Sequence, residues 1–311
     1  MSTQIKLLTY NIDGLPEKLD LNDLPLILKP IAWIYKLIKH TTQVIINDGS
    51  NKFQNINNIS SLISNIDYDI IGVQEDFNYH NELMSCLDKY NCGTHKGGFE
   101  LKNLFSKIEC LSHFPLPRFK CDGINIITKN SRIKIYQEKI INWNKSNGYI
   151  GHANDLLTHK GFRFYELIID DKYMLDLYII HMDADFYHPE KCPDVSDDIA
   201  ARKSQFEQLS NYILNEKSNN PIIIIGDTNC YDKYIWDQEN ISINFIHNIN
   251  HKNGLHIEEA KPNNYSDCDR IFFINNDKAK YELELDSCYF WKDVRYSDHR
   301  PLQGIFNIKD K

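Results

Sequence analysis

Six short polar motifs hold the residues of this chain best suited to chemistry. The most specific is Gly226-Asp227-Thr228-Asn229, which follows four consecutive isoleucines at 222–225. Such a run reads as a strand buried on both faces. It sets Asp227 and Asn229 at the strand's carboxyl end, the edge where open α/β sheets hold ligands. Asp227 can orient or deprotonate a water there, and Asn229 can hydrogen-bond a phosphate oxygen. Near the end of the chain stands Ser297-Asp298-His299-Arg300-Pro301. In an extended segment Asp298 and His299 point to opposite faces, so His299 needs a carboxylate from elsewhere. Asp269, in Cys268-Asp269-Arg270-Ile271, is the candidate. A carboxylate bonded to an imidazole fixes its tautomer and raises its basicity. Glu75, in Gln74-Glu75-Asp76, follows an apolar strand and offers the hard oxygen that Mg²⁺ takes, usually one or two carboxylates with several waters. Asn11, after Thr9-Tyr10, can orient a metal ligand or a phosphate, and His181 opens His181-Met182-Asp183-Ala184-Asp185 as an imidazole open to tuning by acidic neighbours. Singly, each has a plain structural reading: Asn11 starts a turn, Glu75 is a solvated loop residue, His181 packs at a strand end. The set argues more strongly than its members, with two histidines, several carboxylates and two amides at strand ends.

The elements that must position these residues alternate. Strands are expected at 5–11, 69–73, 124–128, 162–169, 174–181, 221–225, 271–274 and 302–308. Helices are expected at 55–66, where Ile56, Ile59, Leu62, Ile63 and Ile66 recur at helical spacing, and at 198–214. Helix followed by strand points to an alternating α/β architecture. Residues 15–53 read as an insertion. Within it, 24–38 is helix-like and broken at Pro30, either a lid or packing helix or an interfacial segment that touches lipid. With no repeat and no low-complexity linker, residues 1–311 read as a single domain.

Composition sets the class. The 311 residues are 42% hydrophobic and 25% charged, which is ordinary for a globular protein. A formal charge of -8 disfavours a dedicated duplex binder, although Lys129, Arg132, Lys134, Lys139 and Lys145 can line a local basic groove. The amino-terminal residues lack the pattern of a secretory signal, and no stretch approaches the roughly 20 apolar residues of a spanning helix. The eight cysteines contain no CxxC pair, which argues against a structural zinc site. Reduced thiols in a cytoplasmic or otherwise non-secreted setting are expected.

In order, these motifs resemble those of the endonuclease/exonuclease/phosphatase superfamily, from Leu7 to Phe306. Asn154 to Phe162, with its Lys160-Gly161-Phe162, is similar to the bacterial, neutral sphingomyelinase-like branch, as are His181 to Ala184 and the helix with Arg202, Gln205, Gln208 and Leu209. Insertion 15–53 and Asp183 depart from that branch. The resemblance implies a four-layer α/β sandwich of the deoxyribonuclease/sphingomyelinase type: two packed mixed β-sheets flanked by helices. It implies a Mg²⁺-dependent phosphodiester hydrolase, with Mn²⁺ as the other candidate metal. Glu75 would be the main metal ligand with Asn11 close by, and Asp298 would complete the metal or water network. Asp227 and Asn229 would hold the water and a phosphate oxygen, and His299, supported by Asp269, would be a general base. His181 would stabilise developing charge or assist the leaving group. Either Asp227 or His299 takes the proton. The expected substrate is a lipid headgroup, with 15–53 and Tyr289-Phe290-Trp291 as candidate peripheral membrane contacts, although such an aromatic triplet is more often core strand than membrane wedge. A nucleic acid is the alternative, a soluble phosphomonoester such as an inositol phosphate the third, and a non-catalytic binding protein the last. No obligate protein partner is expected.

Overall fold

The structure, a computed structural model, describes residues 2–14, 52–97, 99–102, 116–147, 158–184, 196–216, 218–230, 238–262 and 267–311. Two six-stranded sheets carry the fold. The first runs in the order β13 (Tyr281–Phe290), β14 (Leu302–Asp310), β1 (Ser2–Asn11), β2 (Ile70–Gln74), β6 (Asn125–Lys129), β3 (Tyr90–Cys92). The second runs β11 (Leu255–Glu259), β12 (Asp269–Asn276), β10 (Ile222–Asp227), β9 (Tyr173–His181), β8 (Gly161–Ile169), β7 (Ile133–Asn142). Both are mixed: β1 pairs with β2 and β9 with β10 in parallel, and the other pairings are antiparallel. A separate pair, β4 (Phe99–Lys102) with β5 (Leu116–Phe119), stands outside them.

The isoleucine run shows why the layers form. Side chains alternate across a strand. Ile223 and Ile225 enter the core between the sheets with Leu7, Ile70, Leu177 and Phe306. Ile222 and Ile224 face outward, onto Phe206, Leu209 and Phe245. Those residues belong to α3 (Ser196–Asn215) and α4 (Gln238–Ile249), which cover the second sheet. On the first sheet Leu8 and Tyr10 face outward onto Ile56, Ile59 and Ile63 of α1 (Lys52–Asn65). Each isoleucine of β10 is at most 5% exposed, and full burial of such a side chain stabilises by about 1.5–3 kcal/mol. Gly72 on β2 lets the sheets approach: a Cβ there would lie 2.5 Å from Ile225 Cδ1.

This is the expected sandwich of two sheets between helices. The expected strands and the helices expected at 55–66 and 198–214 appear with ends shifted by a few residues. Sequence periodicity missed β3, β4, β5, β7, β11 and β13, the short α2 (His80–Met84) and α4. Strands β7 and β13 lie at sheet edges, and much of their surface is exposed or polar, so the apolar signal is weak. Residues 15–51, including the helix-like 24–38, lie outside the described residues; Lys52 and Phe53 belong to α1, so that helix begins inside the expected insertion. Tyr289-Phe290-Trp291 takes the core-strand reading, at the end of β13. Phe290 is buried, and half-buried Trp291 packs beside Tyr68, ring centroids 6.3 Å apart. Tyr289 alone of the three is exposed. No described helix is long and apolar enough to cross a membrane, and the six described cysteines are free thiols.

Candidate active site

Strand register assembles the site. Asp227, the last residue of β10, pairs with His181 of β9 on one side and Asp269 of β12 on the other. Gly226 makes this possible. It has φ +140°, and a Cβ there would lie 2.1 Å from the carbonyl oxygen of Ile180, so the tight approach to β9 requires glycine. On the facing sheet, Asn11 ends β1 in register with Gln74 of β2, which puts Glu75 one residue beyond. Glu75 takes φ +64°, a left-handed conformation uncommon outside glycine. The segment holding His299 leads into β14, which runs antiparallel to β1 and returns to the same end.

The side chains converge. Asn11 Nδ2 donates to Glu75 Oε1 at 3.2 Å and to Asp227 Oδ2 at 3.1 Å, and lies 3.4 Å from His299 Nε2. Its side-chain oxygen Oδ1 accepts from the Asp13 N–H at 3.1 Å. Asn11 thus ties two carboxylates together through its side-chain amide. Asp227 Oδ2 lies 3.7 Å from Nε2 of both His181 and His299, and Oδ1 accepts from the Asn229 N–H at 2.8 Å. Asp269 Oδ2 meets His299 Nδ1 at 2.7 Å. Asn229 donates its side-chain amide to the Met182 carbonyl at 3.0 Å, with φ +51°. Asp298 is exposed, its Oδ1 accepts from Ser297 Oγ at 3.1 Å, and its charge reaches Glu75.

The two histidines are driven in opposite directions. Burial, aided by the Lys160 charge, holds His181 well below its ordinary value, so it is neutral at pH 7. Burial also opposes the charge on His299, but Asp269 beside it and the Asp227 charge outweigh that and raise it well above 6.5. Burial would raise Asp227 too, yet His299 and Lys160 hold it down to about 2. Burial lifts Asp269 to about 6, which still leaves it charged at neutral pH. Paired groups tuned apart in this way are how acid and base roles are divided.

A divalent metal fits beside Glu75. Desolvation first, then the negative charges of Asp13 and Asp298, push that carboxyl to about 7, and a bound dication relieves this crowding. The donors are hard oxygens, as Mg²⁺ prefers. Donor atoms of Asp227, Cys268 and His299 also gather within 4.8 Å of one another. Thiol and imidazole suit Mg²⁺ poorly, however, and the Cys268 thiol, 3.7 Å from His299 Nδ1, is raised well above 9 by burial and stays protonated.

Lys160 was missed as a site residue. It precedes β8, its ammonium donates to the Met182 carbonyl at 3.3 Å, and its charge acts on Glu75, His181 and Asp227. The signal was present in His159-Lys160-Gly161-Phe162, read as a family mark without a role.

No protein-family model matches the chain, and no curated protein matches it. Solved structures do. An endonuclease/exonuclease/phosphatase from Bacteroides vulgatus is 13% identical with TM-score 0.57, covering 99% of this chain and 100% of that one. Beta toxin from Staphylococcus aureus, as a mutant with bound magnesium ions, is 14% identical with TM-score 0.55, covering 97% and 99%. TDP2 from D. rerio, complexed with single strand DNA product, is 14% identical with TM-score 0.53, covering 98% and 99%. The chain therefore shares the fold of these proteins along nearly its whole length.

Proposed function

We propose that this chain is a Mg²⁺-dependent phosphodiester hydrolase of the sphingomyelinase-like kind, releasing a lipid headgroup in the manner of a phospholipase C. One observation carries the reading: Asn11 bridges Glu75 to Asp227 at the junction of the two sheets, with the His299–Asp269 pair and neutral His181 on either side. Glu75 would hold a divalent metal, Mg²⁺ or Mn²⁺, which would supply charge neutralisation of the phosphate and orientation of the ester for in-line displacement. Asp227 holds the attacking water. Its proton passes to His299 Nε2 in the neutral imidazole form, while Asp269 steadies Nδ1; general-base help is worth roughly 10²–10⁴-fold. His181 and Lys160 act where negative charge develops, on the phosphate oxygens or the departing alkoxide. Asp298 adds negative charge near the metal through space, and Asn229 fixes Asp227 through its backbone N–H.

Two further observations bear on substrate. The similarity to a TDP2 structure holding a single strand DNA product favours a nuclease as the second reading. Against it, four of the five residues proposed for a basic groove are committed to carboxylates: Lys129 to Asp67 at 2.5 Å, Arg132 to Asp69 and Asp170 at 2.7 Å, Lys134 to Asp171 at 2.5 Å and Lys139 to Glu216 at 3.0 Å. Phosphate contacts depend on uncommitted cations, so lipid ranks first. The test is Mg²⁺-dependent product release from sphingomyelin vesicles and from plasmid DNA side by side, with Glu75→Gln as control. Lipid hydrolysis that the variant loses supports the proposal; cleavage of DNA alone transfers it to the nuclease reading. Failure on both substrates rejects both and directs attention to soluble phosphate esters.

A further inference from the structure

One residue past Glu75, the chain builds a second cluster of ligating side chains, with different donors. Asp76 is fully buried. Its backbone N–H donates to the Gly123 carbonyl at 2.9 Å, and its Oδ2 accepts from Asn125 Nδ2 at 3.1 Å. The same Oδ2 meets His80 Nδ1 at 2.7 Å, while Oδ1 is buried with no hydrogen-bond partner among the described residues. His80 sits on α2, and its other nitrogen, Nε2, faces Cys92 Sγ at 3.9 Å. His95, three residues past Cys92, stacks on His80 with ring centroids 4.0 Å apart and planes within 5°. Its Nε2 bonds the Asp76 carbonyl at 3.0 Å. One donor atom from each of Asp76, His80 and His95 lies within 4.8 Å of the other two. A cavity of about 300 Å³, lined by Phe77, Asn78, His80, Asn81, His95 and Gly97, opens beside them.

We propose that His80, His95 and Cys92, backed by Asp76, form a binding site for a borderline transition-metal dication of the zinc class, separate from the magnesium site beside Glu75. The donor set carries this. Imidazole and thiolate select zinc-class metals, whereas Mg²⁺ seeks oxygen. A carboxylate on one nitrogen of a histidine leaves the other for the metal and orients the ring, the usual arrangement behind a zinc-bound histidine. An imidazole nitrogen and a thiolate on one tetrahedral zinc stand about 3.6 Å apart, given Zn–N of about 2.0–2.1 Å and Zn–S of about 2.3 Å. The 3.9 Å between His80 Nε2 and Cys92 Sγ is close to that. His95 completes the set by turning out of the stack into the adjoining cavity, and the Cys92 thiol gives up its proton to solvent as the metal binds. The missing CxxC pair excludes a site built from paired cysteines and leaves this mixed set open.

The test uses Co²⁺ as a spectroscopic stand-in for zinc, in the full chain carrying Glu75→Gln so that the hydrolytic site is weakened. Binding is read directly and needs no activity, so its outcome is independent of the proposed hydrolysis. The expected result is one Co²⁺ per chain with a thiolate-to-cobalt band in the near ultraviolet, displaced by Zn²⁺. Cys92→Ser abolishes the band, and His80→Gln and His95→Gln, checked for folding by circular dichroism, each weaken binding. Asp76→Asn, which removes only the backing carboxylate, weakens it roughly 10–100-fold. Absence of stoichiometric binding, cobalt bound without the band, or a band that survives Cys92→Ser would each overturn the proposal. So would a metal held by wild type but lost in Glu75→Gln alone.

Discussion

His299 and His80 stand in the same local arrangement. Each has its Nδ1 2.7 Å from the carboxylate of a fully buried aspartate, Asp269 in one case and Asp76 in the other. They differ at the far nitrogen. His299 Nε2 looks onto Asn11 at 3.4 Å and Asp227 at 3.7 Å, an oxygen-rich setting with Glu75 beyond. His80 Nε2 looks onto the sulfur of Cys92. A carboxylate–imidazole pair thus states only that a histidine is held and tuned. In the roles proposed above, the second contact makes the difference: proton transfer beside Asp227 for His299, metal ligation beside the Cys92 thiol for His80.

Single substitutions separate the two regions. The largest effect is expected from His299→Ala, which should lower Mg²⁺-dependent hydrolysis by about 10²–10⁴-fold with the fold intact, while His80→Ala leaves the rate nearly unchanged. Comparable losses in steady-state assays would mean that the two pairs serve one reaction. Next comes the backing carboxylate. Asp269→Asn should reduce hydrolysis roughly 10–100-fold, by analogy with other groups that orient a working histidine, and Asp76→Asn should spare it.

A third expectation concerns pH. His299 is held well above 6.5, so its base form is scarce below that value and the rate should climb as pH rises through its pKa. Removing the Asp269 charge removes a cause of that elevation, so in Asp269→Asn the rising limb should move to lower pH. His181, held well below 6.5, stays neutral throughout and adds no limb of its own. A limb unmoved by Asp269→Asn would take the proton away from His299 and leave Asp227 as its acceptor. The smallest effect is on stability: Zn²⁺ at a hundredfold excess over its Kd should add about 2.7 kcal/mol to unfolding, read as a higher melting temperature in wild type and not in His80→Gln.

Much of the candidate site was legible in the sequence because strands of period two deliver their end residues predictably. Ile222 to Ile225 could only be a buried strand, and that places Asp227. The geometry of adjacent residues set Asp298 aside as the partner of His299, with Asp269 named as the candidate, and the two meet at 2.7 Å. Orientation was not legible. Nothing in the order of residues says that Asn11 would turn its amide nitrogen toward Glu75 and Asp227, or that Asp298 would lie exposed, because both depend on contacts made after the sheets pack. The His80 cluster was invisible for a related reason. Its members come from a loop, a five-residue helix, the end of the three-residue β3 and the segment leaving it, all too short for periodicity to mark a side chain's direction. Edge strands β7 and β13 escaped because exposed faces carry little apolar signal.

The contact between Asn11 and His299 spans 288 positions of the chain. Closing a loop of that length costs conformational entropy that only the finished sheets repay. Since β14 brings His299 home by pairing with β1, no partly folded species that lacks this last pairing can hold both halves of the reaction centre. Catalytic competence should therefore appear late in refolding, after helical content has returned, and its recovery would time the docking of the final strand.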